Sequence, residues 1–263
     1  MSAERRTAAP SKIGPTRAMI LAAGVGTRLR PLTDDRPKAL VEVAGRTMLD
    51  LTLARLREFG ISDVIINLHH FADKVAHYLQ SHDNFGMHIA LSREEVLLDT
   101  GGGLKQAAWF FLDDSAQADE PFLLHNVDVL SNVDFARMFS SHRASRALAT
   151  LAVQDRPTSR YLLFDEQNHL CGRRIGQGQR DEVARPSEKM QALAFSGIHI
   201  ISRRFLNLMR EEGVFSIIDT YLRLAAAGET IAAFRADEYY WRDLGKPENV
   251  QQAARDLQKQ SLR

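Results

Sequence analysis

The sequence predicts an α/β protein with a central, mainly parallel sheet that helices cover on both faces. Short apolar runs of strand length alternate along the chain with segments whose apolar residues recur at helical spacing. This order favours parallel strands, because parallel neighbours are joined by crossovers that usually contain a helix. Hydrophobic residues make up 44% of the chain and charged residues 25%, and both fractions are typical of a globular protein.

Strands are predicted wherever a short apolar run is bounded by polar or turn-forming residues. These runs are residues 17–23, 63–68, 87–91, 122–125, 147–153, 161–164, 169–173, 194–201, 231–234 and 238–241. The runs over 161–164 and 169–173 flank a short polar segment, which predicts a hairpin.

Helices are predicted where apolar residues recur three or four positions apart. In the first of them Leu49, Leu53 and Leu56 recur in this way, and Gly60 ends the helix. The last begins at Pro247, because proline is favoured in the first turn of a helix. The predicted helices cover 47–59, 71–79, 103–111, 135–142, 205–209, 215–227 and 247–258.

We expect a single domain over residues 17–263, with a hairpin and loop inserted at about 157–190. Residues 1–16 contain basic side chains but no apolar core segment, so we expect a disordered lead-in and no secretory signal. No apolar run reaches the length of a membrane span. We therefore expect a cytoplasmic protein.

Net charge and cysteine content exclude several kinds of partner and site. A net charge of +1 creates no bulk field that would attract nucleic acid or a membrane, so we expect neither as a partner. Cys171 is the single cysteine, which excludes an internal disulfide and a cysteine-based zinc site. The sequence leaves the oligomeric state open, with a homodimer as one option.

Between residues 18 and 43 an apolar strand breaks into a glycine-rich turn, and two cations follow. Backbone N–H groups exposed at such a turn suit an oligophosphate. Arg28 and Lys38 add the positive charge that a triphosphate needs. This stretch predicts a nucleoside triphosphate site, although Gly24 and Gly26 alone would fit any strand-to-loop turn.

Two common phosphate-binding motifs do not fit this stretch. The third glycine of a dinucleotide fingerprint is replaced by Leu29, and the Lys-Ser/Thr pair of a Walker loop is missing. The longer string G-x-G-T-R-x-R-P-L-T followed by P-K resembles the signature of the sugar-1-phosphate nucleotidyltransferases. Within them it is similar to N-acetylmuramate-1-phosphate uridylyltransferases and mannose-1-phosphate guanylyltransferases, over Arg17 to about residue 255.

The resemblance implies a Rossmann-like, GT-A-type nucleotidyltransferase fold with a central, mainly parallel mixed sheet flanked by helices. Its implied reaction joins a nucleoside triphosphate to a sugar 1-phosphate and releases pyrophosphate, with Mg²⁺ as the cofactor. The product would be a nucleotide-sugar that serves as a cell-envelope precursor.

Two aspartates match the family's metal-binding positions. Asp128 follows the apolar run 122–125 where the family has N-G-D, with Val127 in place of the glycine. Asp243 matches the aspartate of W-x-D-x-G-x-P. Mg²⁺ prefers oxygen ligands and needs only one or two carboxylates. On their own, Asp128 could be a turn former and Asp243 the cap of the helix at Pro247.

Gly24 and Asp128 each follow a predicted strand, so the two can share one crevice at the carboxyl edge of the sheet. The run Leu98–Gly103 resembles the L-x-T-G-G-G segment that lines the nucleotide pocket in the uridylyltransferases. We read it as a loop, from which a helix begins at Gly103. The predicted nucleotide-binding residues are Leu21, Ala22, Ala23, Gly24, Gly26, Thr27, Gly102, Gly103 and Asn126.

The sugar side carries a weaker signal. Ser196 and Gly197 match the family's F-S-G segment and are predicted to border the sugar. Several relatives hold the sugar phosphate with the lysine of a Glu-Lys-Pro block, and Lys189 stands nearby without the proline. Lys189 is therefore a candidate for the sugar phosphate, with a solvated loop lysine as the alternative.

In the implied reaction a sugar-phosphate oxygen attacks the α-phosphorus, so no general base is required. Catalysis then depends on positioning and charge neutralisation. We assign Arg28 to the leaving pyrophosphate, Lys38 to the α-phosphate and the incoming phosphate, and Asp128 with Asp243 to Mg²⁺.

Several functions stay open at this stage. UTP with an amino-sugar or muramate-like 1-phosphate is favoured over GTP with mannose or heptose 1-phosphate. A cytidylyltransferase for a non-sugar phosphate is a nearer alternative, and a non-catalytic subunit that senses nucleotide-sugars is another. The sensing subunit would be expected to lose one of the charged motif residues, and none is lost. A nicotinamide oxidoreductase is opposed by the absent third glycine.

Overall fold

The computed structural model describes residues 15–113, 120–176 and 180–259. The strands are β1 (Arg17–Leu21), β2 (Glu42–Val43), β3 (Arg46–Thr47), β4 (Asp63–Leu68), β5 (His88–Arg93), β6 (Phe122–Asn126), β7 (Val129–Ser131), β8 (Ala149–Gln154), β9 (Arg160–Phe164), β10 (Leu170–Ile175), β11 (Arg180–Val183), β12 (Gln191–Ile201), β13 (Ile231–Arg235) and β14 (Trp241–Asp243). The helices are α1 (Met48–Glu58), α2 (Ala72–Ser81), α3 (Asp99–Gln106), α4 (Trp109–Leu112), α5 (Phe135–Ser145), α6 (Arg204–Leu208), α7 (Ile217–Ala226) and α8 (Pro247–Gln258).

Within the described residues, ten strands form one mixed sheet in the order β11-β10-β9-β12-β6-β1-β4-β5, with β8 and β13 branching from β12. The section β6-β1-β4-β5 is parallel, and β13 runs parallel to β8. Strand β12 runs antiparallel to β6, β8 and β9. The predicted α/β class is therefore confirmed, with the parallel section continued by an antiparallel one.

Side chains alternate across the parallel section into two cores, one on each face of the sheet. Ile20 and Val64 belong to the core that α1, α2, α5 and α8 cover. Met19 and Ile65 belong to the core on the opposite face, beneath α3 and α7. Strands buried on both faces explain the nearly continuous apolar runs in the sequence.

Local signals in the sequence set several element ends. The Thr47 hydroxyl accepts the Asp50 backbone N–H at 3.0 Å and so caps α1, while Pro247 lies in the first turn of α8 as predicted. The predicted hairpin is also confirmed, because β9 and β10 pair antiparallel.

Four short strands were not predicted: β2, β3, β7 and β11 have two to four residues each, too few for a periodic pattern. The predicted helix over 103–111 is wrong in its bounds, because α3 starts at Asp99 and a separate α4 follows. The predicted strand over 238–241 is displaced, since pairing begins at Trp241.

The predicted disordered lead-in over residues 1–16 lies outside the described residues except for its last two positions. Across the described ranges, no helix combines the length and apolar character needed to cross a membrane.

Candidate active site

The carboxyl ends of three parallel strands lie level with one another. In the strand register Leu21 stands opposite both Asn67 in β4 and Asn126 in β6. A cavity of about 620 Å³ opens at this edge beside a smaller one of about 360 Å³. Gly24 and Asp128 both line the smaller cavity, which confirms that they share one crevice. The residues common to both cavities are Asp99, Thr100, Asn126 and Asp128.

The glycine turn after β1 lies directly against Lys38. A Cβ added to Gly24 would approach the Lys38 ammonium to 3.3 Å, and one added to Gly26 would approach the Lys38 Cβ to 3.2 Å. Gly26 has a φ of 70° and precedes a 3-10 turn over Thr27–Leu29. The Thr33 hydroxyl donates to the Gly26 carbonyl at 2.9 Å and holds the turn closed. At Gly26 both the backbone conformation and the limited space therefore favour glycine.

Lys38 and Asp128 form an ion pair in the crevice. The Lys38 Nζ lies 3.0 Å from Asp128 Oδ2, and the two side chains are 14% and 16% exposed. Both charges are therefore largely withdrawn from water, where their interaction is stronger than at an open surface. The structure brings together two residues that are far apart in sequence and that were both predicted to be catalytic.

Asp243 is brought beside Asp128 by the small sheet of β7 and β14. In this antiparallel pair Asp243 stands opposite Val129, and the Leu244 N–H donates to the Asp128 carbonyl at 2.8 Å. The Asp243 carboxylate accepts the Gly245 N–H at 2.7 Å. Two aspartates from distant parts of the chain thus line the same cavity.

Arg28 lies against the same segment. A Cβ added to Gly245 would fall 2.7 Å from the Arg28 guanidinium and 2.8 Å from Asp243 Oδ1. The absence of a side chain at Gly245 is what allows the arginine and the aspartate to approach one another.

We expect Gly245→Ala to lower kcat by roughly 10- to 100-fold, because its methyl group would displace Arg28 or Asp243 from the reacting phosphates. Steady-state rates measure this effect. Gly228→Ala is the control, since Gly228 lines neither cavity and a Cβ there meets nothing within 4 Å, although its φ of 90° strains an alanine. Equal losses in the two variants would contradict the positional argument.

Asn126 is a further polar residue that lines both cavities. Its Oδ1 is buried and has no hydrogen-bond partner among the described residues. Gly197 makes room for this amide, because a Cβ there would lie 2.8 Å from Asn126 Nδ2. Two carboxylates with an unpaired amide oxygen nearby form an oxygen-only donor set of the kind that Mg²⁺ prefers. Within the described residues, no group of three or more His, Cys, Asp or Glu side chains is placed to hold a metal.

A buried polar network that sequence reasoning missed supports the nucleotide side. Asn67 Oδ1 accepts the Ala22 N–H at 2.7 Å, and its Nδ2 donates to Glu94 at 2.6 Å. Glu94 in turn accepts the Leu98 N–H at 3.0 Å. The network ties the end of β1 to the start of α3. An asparagine inside the apolar run 63–68 was the available signal.

The predicted loop over Leu98–Gly103 is wrong: the three glycines belong to α3 and are buried. A Cβ on Gly101 would fall 2.4 Å from the Phe215 ring, and one on Gly103 would fall 2.7 Å from both Asn67 and Glu94. The run is thus explained by close packing. Neither Gly102 nor Gly103 lines a cavity, so their contact with nucleotide remains a prediction.

The other predicted nucleotide residues divide into two groups. Leu21, Ala23, Gly24 and Asn126 line the smaller cavity. Ala22, Gly26 and Thr27 do not line it. Ala22 donates its N–H to Asn67 as described, and Gly26 and Thr27 form the turn beneath Lys38.

On the sugar side, Ser196 and Gly197 line the larger cavity, and the buried Ser196 hydroxyl has no partner among the described residues. Lys189 lines neither cavity. Its side chain is 76% exposed and pairs with Glu166 at 3.0 Å. The structure therefore places the candidate lysine away from the site, as a solvated loop residue. Arg156 also lines the larger cavity and was not predicted.

Two buried histidines lie near the site and are held neutral: His199 lines the larger cavity, and His125 directly precedes Asn126. Burial lowers the pKa of His125 to about 4 and that of His199 to about 3. The His199 Nδ1 lies 2.8 Å from the buried Tyr221 hydroxyl, and the His125 Nδ1 lies 2.8 Å from the Asn126 carbonyl. These contacts tie both rings to the protein, which suits a site that works without acid–base exchange at neutral pH.

A parallel sheet with a glycine turn, a buried lysine–aspartate pair and a second aspartate at its carboxyl edge defines an α/β protein that handles nucleotide phosphates. Residues 17–260 match the nucleotidyl transferase family. The chain belongs to this family and is a nucleotidyltransferase.

Curated relatives support this assignment over nearly the whole chain. The N-acetylmuramate alpha-1-phosphate uridylyltransferase of Caulobacter vibrioides is 32% identical over 243 residues, which cover 89% of this chain and 93% of the relative. The mannose-1-phosphate guanylyltransferase of Mycobacterium tuberculosis is 29% identical, with 91% of this chain and 64% of the relative covered.

Solved structures show the same fold at lower identity. HddC from Yersinia pseudotuberculosis, complexed with GMP-PN, superposes with a TM-score of 0.72 at 21% identity and covers 92% of this chain and 99% of that one. The inositol-1-phosphate CTP transferase of T. maritima superposes with a TM-score of 0.69 at 14% identity, and the match covers 94% of this chain and 97% of that one.

Proposed function

We propose that this chain transfers a nucleotidyl group from a nucleoside triphosphate to a sugar 1-phosphate, with UTP and an amino-sugar or muramate-like 1-phosphate as the favoured pair. The observation that carries the proposal is the Lys38–Asp128 pair beside the glycine turn, with Asp243 joined to it through β7 and β14. The similarity to the Caulobacter uridylyltransferase over 93% of its length supports the choice of substrates.

The nucleophile is an oxygen of the sugar 1-phosphate, which is already an anion. It forms a bond to the α-phosphorus as the bond from that phosphorus to the bridging oxygen breaks, and the electron pair leaves with pyrophosphate. No proton has to be removed, so a neutral His199 in the larger cavity is consistent with the reaction. The protein contributes orientation and compensating charge.

Each charged side chain has a defined task in this scheme. Lys38 exchanges its contact with Asp128 for the α-phosphate, since its ammonium lies directly against the glycine turn. Arg28, held against Gly245, takes the charge that develops on the pyrophosphate. When bound, Mg²⁺ would be held by Asp128 and Asp243 and would neutralise phosphate oxygens.

Pyrophosphate release tests the proposal. Purified protein with Mg²⁺ is incubated with UTP, GTP or CTP, each combined with N-acetylmuramate 1-phosphate, glucose 1-phosphate or mannose 1-phosphate. We expect release with UTP and N-acetylmuramate 1-phosphate, and loss of release in Lys38→Met and on addition of a chelator.

Other outcomes separate the remaining functions. Release with GTP and mannose 1-phosphate would establish a guanylyltransferase, in line with the relative from M. tuberculosis. Nucleotide binding without release for every pair would contradict the proposal and favour the sensing subunit or an acceptor that is not a sugar.

A further inference from the structure

Besides Arg28, four arginines line the larger cavity. They differ in their ion pairs and in their burial. Arg173 pairs with Glu182 at 2.7 Å and with Asp219 at 2.6 Å, and Arg174 pairs with Asp181 at 2.6 Å. Arg160 is exposed at the start of β9. The fourth, Arg156, is half-buried and makes no ion pair with any described residue.

The Arg156 guanidinium is nevertheless fixed in place. It lies over the Trp241 ring at 3.6 Å from the ring centroid, and its Nη2 donates to the Phe195 carbonyl at 2.8 Å. Trp241 is itself held, because its Nε1 donates to the Ser196 carbonyl at 2.8 Å. A planar cation stacked in this way keeps its remaining donors oriented, so little conformational freedom is lost when an anion binds.

Arg156 lies near Asp243, one of the two aspartates that line the larger cavity. Trp241 and Asp243 are two residues apart on β14, so their side chains leave the strand on the same face. Burial lowers the pKa of Arg156, whereas the charge of Asp243 raises it, so the two groups are close enough to interact. A buried cation without a paired anion is unfavourable, and an anionic ligand would relieve that cost.

Arg28 and Arg156 contact different residues of the segment that carries Asp243. Arg28 lies at Gly245, and Arg156 lies at Trp241. In an in-line displacement the attacking and leaving oxygens lie on opposite sides of the phosphorus. If Arg28 serves the leaving pyrophosphate, Arg156 is a second cation in the same cavity that is available to the attacking phosphate.

We propose that Arg156 binds the phosphate of the acceptor substrate, the role for which the sequence offered Lys189. The inference rests on the proposed function. It identifies a residue of this chain that replaces the missing Glu-Lys-Pro lysine, and it assigns Trp241 the task of orienting that residue.

Initial rates of Arg156→Gln and Arg156→Lys test the proposal, with UTP and N-acetylmuramate 1-phosphate or whichever pair the wild type turns over. We expect Arg156→Gln to raise the KM for the sugar 1-phosphate about 10- to 100-fold and to leave the KM for the nucleotide within about twofold. Arg156→Lys keeps the charge but loses the planar stack, so we expect an intermediate KM. Lys189→Gln and the exposed Arg255→Gln are charge-matched controls and should each stay within about twofold.

Calorimetric titration of the sugar 1-phosphate into wild type and Arg156→Gln, each with its folding checked by circular dichroism, gives a readout independent of turnover. An unchanged KM and affinity in Arg156→Gln, or a raised KM in Lys189→Gln, would overturn the inference while the wild-type activity stood. A wild type that binds nucleotide but neither binds nor converts any sugar 1-phosphate would instead overturn the proposed function and this inference with it.

Discussion

Asp128→Asn is expected to lower kcat by about 10²- to 10³-fold, which corresponds to roughly 3–4 kcal/mol of transition-state stabilisation. The amide keeps the size of the side chain but removes the charge that pairs with Lys38 at 3.0 Å and that we propose as a Mg²⁺ ligand. Pyrophosphate release at saturating substrates measures the effect, and a melting curve verifies the fold.

Asp83→Asn provides the matched control for this prediction. Asp83 is exposed and has a φ of 48°, a conformation that asparagine tolerates, so the same chemical change should leave kcat within about twofold. If Asp128→Asn retained more than about a third of the wild-type rate, Asp128 would have no catalytic role.

The second large effect concerns acid stability. Burial lowers the pKa of His125 and His142 to about 4 and that of His199 to about 3, against about 6.5 in an unfolded chain. Between about pH 4 and pH 6.5 the unfolded state binds more protons than the folded state. Stability is therefore full above about pH 6.5 and is lost as the pH falls towards 4. At pH 5 each histidine removes about 2 kcal/mol, or about 6 kcal/mol in total.

Urea unfolding at pH 7, 6 and 5 measures this dependence. We expect His142→Asn to reduce the pH dependence of the free energy of unfolding by the contribution of one proton. Asparagine is chosen because Thr150 and Ser202, at 2.9 and 3.1 Å from the ring nitrogens, offer hydrogen bonds to an amide. His77→Gln is the control, because this side chain is exposed on α2 and lies outside the core. A wild-type free energy of unfolding that did not change from pH 7 to 5 would contradict the prediction.

Much of the parallel section could be predicted from the sequence because burial on both faces leaves a strong local signal. The run 63–68 coincides with β4, and Gly24 and Asp128 meet because both follow strands of this section. The meeting of Asp128 with Asp243 could be predicted from the family motif but not from any pattern, since three-residue strands such as β7 and β14 carry no periodicity.

Residues with two plausible roles were the harder case. A run of three glycines fits a ligand loop and a close-packed helix equally well, and the Phe215 ring that decides the matter lies far away in sequence. Arg156 gave no signal, because its significance depends on Trp241 beneath it. Lys189 matched a neighbouring motif, yet only the fold shows that it points to Glu166.

The small sheet of β7 and β14 also bears on how the enzyme matures on the ribosome. Synthesis proceeds from the amino terminus, and domains generally fold as units in that order. The glycine turn, Lys38 and Asp128 emerge well before Asp243, whose strand closes onto β7. A nascent chain of which only the first half has emerged therefore lacks Asp243 and the strand that places it. Catalytic competence is expected to arise in one step, when the segment through Gly245 docks.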